Sequence, residues 1–178
     1  SGSFENRVLL LQKIEDAVRE SAREGTIKYI PIKLEEKGHE RFADADDIIQ
    51  LYRMRPPQEF SLAIESSVMP FVYYSEEGSR FGMAFRVRDA NRMLRNMLTW
   101  ESSILSDFTP LFFSEKPEIV VAPFEDRAFR NIDWRFLNLS HTKDLGIGYS
   151  LFPAKKVFIL TSSKEAIETI ISRLYVGL

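Results

Sequence analysis

Cysteine is missing from all 178 residues of this chain. Its absence excludes disulfide bonds, thiolate zinc sites, iron–sulfur clusters and a cysteine nucleophile. It leaves the cellular compartment open, because many proteins of the cell envelope also lack disulfide bonds.

Long apolar runs are also missing. They extend over only a few residues, as in Val8–Leu11, whereas a helix that crosses a bilayer needs about 20. We expect no signal peptide at the start of this sequence. Ser1–Ser3 resembles a cloning remnant, so we expect a domain cut from a longer protein whose other part carries a membrane anchor.

No charge of one sign dominates, since 24 Lys and Arg residues stand against 26 Asp and Glu residues, for a net charge of −2. This balance excludes a generally basic nucleic-acid binder. Apolar residues make up 44% of the chain and aromatic residues 12%. That supply is sufficient for a packed core and excludes intrinsic disorder.

The N-terminal part predicts a helix, a strand and a charged loop. Apolar residues at steps of three and four predict an amphipathic helix from Phe4 to Arg23, which Gly25 ends. Alternation over Thr26–Leu34 predicts a strand at an edge or bulge, because it contains Pro31. The charged run Glu35–Arg41 predicts a loop.

Two short helices and a β-hairpin follow. Asp44 and Asp47 have the spacing of a helix cap, and Pro56-Pro57 ends the first helix and starts the second. Val68–Tyr74 and Phe81–Val87 are apolar, aromatic and β-branched, with a glycine-containing turn between them. This pattern predicts a hairpin.

Asp89 predicts the cap of a long helix that stops before Pro110. Its 3.6-residue apolar rhythm includes Met93, Leu94, Met97, Leu98, Trp100 or Glu101, Ile104 and Leu105. Residues 109–126 contain three prolines among acidic residues, which predicts a connecting loop around a short strand at Ile119–Ala122. We place the main organisational boundary there, with a first half at 4–112, a connection at 113–126 and a second half at 127–178.

The second half predicts three strands and a final helix capped by Ser162 or Ser163. The strands are Trp134–Leu139, Gly146–Phe152 and Val157–Thr161. Both halves run strand, turn, strand, polar cap and amphipathic helix, which indicates a weak internal repeat. We therefore expect an α+β fold made of two β-hairpin-plus-helix repeats with antiparallel sheets, helices packed on the sheets and an N-terminal amphipathic helix.

Catalytic patterns are weak in this sequence. His39 and His141 lie in polar segments without a second ligand at metal-site spacing, so we expect both to be solvated. Ser140, His141 and Asp144 are the residue types of a hydrolytic triad, but their closeness in one loop opposes triad geometry. Gly146-Ile147-Gly148 leads into a strand and not into the helix that a phosphate loop needs.

Acidic clusters have structural explanations. Asp44, Asp46 and Asp47 lack the glycine and distal glutamate of a calcium loop, which favours helix capping. Glu101 and Asp107 are six helical residues apart and face different ways, so they are a poor acid–base pair. We expect no catalytic residue, no cofactor and no metal.

The charges themselves are segregated along the chain. Five arginines between residues 78 and 97 face only one acid, Asp89: Arg80, Arg86, Arg88, Arg92 and Arg95. Residues 101–126 are correspondingly acidic. We interpret the arginines as a candidate basic patch that pairs within the molecule or with a complementary protein, the alternative being an ordinary solvated face.

The segment order resembles a family of predicted single-span membrane proteins from small-genome bacteria, which have an uncharacterised ectodomain. The segments that carry the resemblance are Phe81–Phe85, Met97–Glu101, Asp107, Pro110–Phe112, Asn131–Arg135, Gly148–Ser150, Val157–Ser163 and Ile170–Leu174. The sequence departs from the pattern around residues 113–123 and at Pro153. The resemblance implies a membrane anchor before Phe4 and no catalytic residues.

These observations lead to a hypothesis of function. We expect a non-enzymatic, extracytoplasmic interaction domain of a membrane-anchored envelope protein, which binds another envelope protein or its own copy through the arginine patch or an exposed strand edge. Nucleic acid is not an expected partner, and the membrane is reached only through a segment outside this sequence. The alternative is a small soluble, cytoplasmic enzyme or ligand-binding protein with a cleft between the two halves, where His141 and Asp144 are the residues of interest.

Overall fold

The structure is a computed structural model, and it describes residues 7–36, 38–113, 115–119 and 121–176. The strands are β1 (Ile27–Tyr29), β2 (Lys33–Glu36), β3 (His39–Phe42), β4 (Ile64–Ser75), β5 (Gly78–Val87), β6 (Phe124–Phe129), β7 (Ile132–Asn138), β8 (Gly146–Phe152) and β9 (Val157–Thr161). The helices are α1 (Arg7–Arg19), α2 (Ala45–Tyr52), α3 (Phe60–Ala63), α4 (Ala90–Trp100), α5 (Ile104–Phe108) and α6 (Lys164–Val176). The predicted α+β class with antiparallel strands is confirmed.

Seven strands form one antiparallel sheet in the order β1-β4-β5-β9-β8-β7-β6. Its centre is the pairing of β5 with β9, which joins the two halves of the chain through five residue pairs from Gly82–Thr161 to Arg86–Val157. The predicted halves therefore contribute to a single sheet.

The two faces of this sheet are covered unequally. On the front face, buried side chains such as Val72, Met83 and Phe158 pack with α1 to α5 in one large apolar cluster. On the back face, Trp134, Phe136 and Phe152 pack with α6 in a smaller cluster. Most of the core therefore lies in front of the sheet.

The predicted repeat is not confirmed. Each of the hairpins β4–β5 and β8–β9 is followed by a helix, but α4 packs on the front face and α6 on the back face. If the two units were related by a rotation about an axis perpendicular to the sheet, their helices would lie on the same face. The shared order of elements is thus not a shared packing.

The N-terminal helix is present as α1, with Ile14 and Val18 buried against the sheet. Its predicted start at Phe4 and the Ser1–Ser3 segment lie outside the described residues. The helix ends at Arg19, earlier than the predicted end at Arg23, and Gly25 does not terminate it. Gly25, with φ +75°, lies instead in the turn that leads into β1, in a backbone conformation that glycine adopts without strain.

The strand predicted over Thr26–Leu34 is interrupted. Pro31 lacks the N–H that would continue the ladder, so β1 ends at Tyr29 and a new strand, β2, begins at Lys33. The loop predicted at Glu35–Arg41 was wrong, because β2 and β3 form a two-stranded hairpin there. Cross-strand ion pairs explain a hairpin made of charged residues, since Lys33 lies 2.8 Å from Glu40 and Arg41 lies 2.9 Å from Glu36.

Several local predictions are confirmed. Asp44 and Asp47 form a reciprocal capping box at α2, and β4 and β5 form the predicted hairpin. The Asp89 carboxylate accepts the N–H of Arg92 at 2.9 Å and caps α4.

The helix predicted to run on to Leu105 is broken after Trp100. A turn at residues 101–103 separates α4 from α5, and a short 3₁₀ segment then covers Thr109–Phe112. In the connecting segment, residues 119, 121 and 122 are not in a strand, and β6 begins instead at Phe124. None of the described helices has the length and apolar character needed to cross a bilayer.

Candidate functional site

The structure divides the predicted arginine patch. Arg80 is only 1% exposed, with its Nε donating to the Asp144 carbonyl at 2.7 Å, so it belongs to the interior and not to a surface patch. Arg86 is exposed on the back face of β5. Arg92 and Arg95 are three residues apart in α4 and lie on one side of the helix, whereas Arg88 precedes the helix and lines a small pocket with Leu151, Pro153 and Lys156. Two of the five residues therefore share one side of α4, and Arg88 lies near the start of that helix.

Arg88, Arg92 and Arg95 differ in whether they form an ion pair. Arg92 Nε lies 3.6 Å from the Asp89 carboxylate. Arg88 and Arg95 form no ion pair with any residue that the structure describes. The acidic segment after α4 does not neutralise them, because its carboxylates have other partners: Glu101 and Asp126 bind Arg135, Glu115 binds Lys143 and Glu125 binds Arg127.

Two leucines extend this surface with apolar area. Leu94 and Leu98 of α4 point away from the core and are 41% and 55% exposed. They form one wall of a groove of about 610 Å³ that continues over the ends of β6, β7 and β8, with Leu151 and Pro153 opposite. We call the surface made of Arg88, Arg95, Leu94, Leu98 and this groove the α4 face.

Sequence reasoning did not identify the leucines as exposed, because it counted them in the apolar rhythm of the helix. A signal was available, because Met93-Leu94 and Met97-Leu98 place apolar residues side by side at two levels of the helix. Neighbouring side chains on an α-helix point about 100° apart around its axis, so a flat sheet cannot bury both residues of such a pair. Met93 and Met97 are fully buried, and the leucines face outward.

An ionic network forms the floor at one end of the groove. Glu101 accepts hydrogen bonds from Arg135 Nε at 2.6 Å, from Arg135 Nη2 at 3.1 Å and from the Tyr149 hydroxyl at 2.6 Å. Arg135 also bonds to Asp126. Burial of the Tyr149 phenol, together with its bond to the Glu101 carboxylate, raises the pKa of Tyr149 well above its usual range.

This network joins the end of α4 to β7 and β8. Its donors and acceptors are directed at one another, which leaves recognition to the leucines and to the arginines without ion pairs. Arg135 and Tyr149 were not singled out in the sequence, since the contact joins segments 34 and 48 residues apart.

The loop with the triad residue types has a structural role. The Asp144 carboxylate accepts hydrogen bonds from the Ser163 hydroxyl at 2.6 Å and from the backbone N–H groups of Lys164 at 2.8 Å and Glu165 at 3.1 Å. Asp144 thus caps the start of α6 together with Ser163, whose hydroxyl accepts the N–H of Ala166.

The neighbouring Ser140 and His141 are bound by a different acid. The Glu118 carboxylate accepts the His141 backbone N–H at 3.0 Å and the Ser140 hydroxyl at 2.9 Å. These two bonds lower the pKa of Glu118. Among the described residues, the imidazole of His141 makes no hydrogen bond to Asp144 or Ser140, so the three residue types are adjacent without triad geometry.

The remaining candidate residues from the sequence analysis also have structural roles. Asp107 accepts hydrogen bonds from Trp100 Nε1 at 2.8 Å and the Arg55 N–H at 3.0 Å, away from Glu101. His39 begins β3, so it lies in a strand and not in the expected loop. Across the described ranges, no group of three or more acidic or histidine side chains could hold a metal ion.

Comparison with known proteins found no matching family model, no matching curated protein and no matching solved structure. The family resemblance noted from the sequence therefore stays a prediction.

Proposed function

We propose that this chain is a non-enzymatic recognition domain that binds a protein partner through the α4 face. The proposal places it on the extracytoplasmic side of the membrane in a membrane-anchored envelope protein, held by a segment outside residues 1–178. Its partner is another envelope protein or a second copy of the same chain.

The exposure of Leu94 and Leu98 is the observation that carries this proposal. Both leucines are about half exposed, at 41% and 55%, and they border a groove of about 610 Å³. Exposed apolar side chains that are grouped, and not scattered singly, are typical of interaction surfaces. Burying each leucine in an interface would contribute roughly 1–2 kcal/mol of binding free energy.

The charges around the leucines indicate the chemistry of the partner. Arg88 and Arg95 make no ion pair among the described residues, and Lys156 lies near Arg88 on the rim of an adjoining small pocket. Arginine combined with exposed apolar residues is favoured at protein interfaces. A partner segment with apolar residues flanked by carboxylates would complement this surface.

The competing enzyme hypothesis has weaker support. A pocket of about 400 Å³ contains His141 and Asp144. The Asp144 carboxylate, however, already accepts three hydrogen bonds at the start of α6. A carboxylate engaged in this way would have to give up its cap to act as an orienting or catalytic group, so we assign no catalytic role.

A photo-crosslinking residue placed at position 98 tests the proposal in cells of the native host. We expect a discrete adduct whose yield falls at least threefold when Arg95 is also changed to Glu. The matched control places the crosslinker at Leu62, which is 58% exposed on α3 and outside the α4 face. Absence of an adduct from position 98, or equal adducts from both positions, would contradict recognition through the α4 face.

The membrane tether is tested separately on the full-length gene. We expect an apolar segment of about 20 residues upstream of the codon for Phe4. We also expect that a protease added to spheroplasts, whose cytoplasmic membrane is intact, will digest the domain. A full-length product that stays in the soluble fraction would contradict the tether and leave the interaction proposal standing.

A further inference from the structure

The back face of the sheet carries a second groove, separate from the α4 face. It has a volume of about 500 Å³ and lies where α6 stops covering the strands. Tyr29, Met69 and Ala84 form its floor and outer edge, and Ile170 and Leu174 of α6 form its wall. We call it the back groove.

The back groove is an apolar surface left open to solvent. Met69 is 54% exposed and Tyr29 46% exposed, although both lie on strands of the main sheet. Phe71 between them is buried because its ring lies over Gly82, where a Cβ would be 2.2 Å from the ring edge. The flat Phe71 ring and the small Ala84 side chain keep the floor low, which gives the groove its depth.

The charge of the back groove has one sign. Its lining contains two arginines, Arg86 and Arg173, and no carboxylate. Arg173 Nη2 donates to the Gly25 carbonyl at 2.6 Å. Arg86 makes no ion pair or hydrogen bond from its guanidinium among the described residues. A free guanidinium beside an apolar floor is complementary to a ligand with an apolar body and an anionic end.

The floor also limits the kind of body that fits. A peptide segment laid on it would bring backbone N–H and C=O groups over apolar side chains, where they would lose water without gaining partners. The alkyl chain of an amphiphile has no polar groups, so it can lie on the apolar floor while its polar head stays at the edge. The volume of about 500 Å³ lies in the range of about 300–1,000 Å³ typical of small-ligand sites.

We propose that the back groove binds a free fatty acid, with its alkyl chain along Tyr29, Met69 and Ala84 and its carboxylate paired with Arg86. This site is independent of the α4 face, and the ligand and the protein partner occupy opposite sides of the sheet.

The test is isothermal titration with dodecanoate below its critical micelle concentration. We expect saturable binding of one equivalent, and binding about five- to fifteenfold weaker for decanoate, which lacks two methylene groups. Dodecyltrimethylammonium has the same chain with a cationic head, and we expect it to bind at least tenfold more weakly than dodecanoate.

Two variants locate the site. Arg86→Gln removes the charge and should weaken dodecanoate binding about three- to tenfold. Met69→Glu places a carboxylate on the floor and should abolish binding. Matched controls are Arg55→Gln and Leu62→Glu, which change exposed residues outside both grooves and should leave the affinity unchanged.

Several outcomes would overturn the proposal. They are no saturable binding of dodecanoate, equal binding of the anionic and cationic amphiphiles, or loss of affinity in the Leu62→Glu control with none in Met69→Glu. Binding only to vesicles of phosphatidylglycerol, and not to free dodecanoate, would assign the groove to a membrane surface instead. A molecular mass in solution twice that of one chain, which falls to the mass of a monomer in Met69→Glu, would assign the back groove to a second copy of the chain.

Discussion

Replacement of Glu101 by Ala should destabilise the domain more than replacement of a surface acid such as Glu125. Glu101 is the common acceptor for Arg135 and Tyr149, and its side chain is only 16% exposed. Removing it leaves the buried Tyr149 hydroxyl without this acceptor, which costs about 1–3 kcal/mol.

The loss at Arg135 is smaller. Its side chain is 26% exposed and keeps Asp126 as a partner, so the broken ion pair contributes no more than about 1 kcal/mol after solvent screening. We therefore expect a total loss of about 1–4 kcal/mol, which corresponds to a decrease in Tm of roughly 2–16 °C for a domain of this size.

Urea unfolding followed by far-UV circular dichroism measures this loss. A double-mutant cycle of Glu101→Ala with Tyr149→Phe isolates the hydroxyl–carboxylate term, for which we expect a coupling of about 1–2 kcal/mol. The control is Glu125→Ala, whose partner Arg127 is a surface residue and whose own side chain is 55% exposed, with an expected effect below about 0.5 kcal/mol. A Glu101→Ala effect no larger than this control, or a coupling near zero, would refute the network as described.

Three further predictions concern the back of the molecule. Asp144→Ala removes the acceptor of three hydrogen bonds at the start of α6 and should cost about 1–3 kcal/mol in urea unfolding, a result that a loss below 0.5 kcal/mol at about the same m-value would contradict. Gly148→Ala places a Cβ 2.5 Å from Ile167 and 2.7 Å from Phe136, so we expect overpacking to lower stability by about 1–3 kcal/mol, and an unchanged Tm would show that the neighbours can move aside. Burial and the nearby Asp144 charge raise the pKa of Glu165, so its ionisation opposes folding and the stability it contributes in its protonated state is lost as the pH rises through that raised pKa. Glu165→Gln should therefore raise Tm at pH 7 and change it little at pH 3.5, and the reverse order would contradict the assigned shift.

Much of the local structure was predictable because it depends on residues that are close in the sequence. The capping box at Asp44 and Asp47, the cap at Asp89 and the β4–β5 hairpin each involve groups within a few residues of one another. The charged β2–β3 hairpin was missed because its apolar alternation is minimal, with Leu34 as its buried residue. Cross-strand ion pairs replaced the apolar signal there.

The candidate sites were less predictable than the elements. Charge segregation pointed to the arginines, but it could not separate the interior Arg80 from Arg88 and Arg95 on the α4 face. Arg80 lies on a strand whose end is covered by the loop that contains Asp144, 64 residues further along the chain. Burial of this kind depends on a distant segment, and no local pattern reports it.

The sequence by itself determined the class of fold, the positions of the main helices and strands, and the absence of cysteine chemistry. Periodicity is sufficient for this, because it records which residues share one side of an element. Only the tertiary structure decided that β5 pairs with β9, that α4 and α6 cover opposite faces, and that two grooves are left open as a result. These features arise from contacts between segments far apart in the chain, where several pairings bury similar apolar area and the packing of the whole sheet selects one.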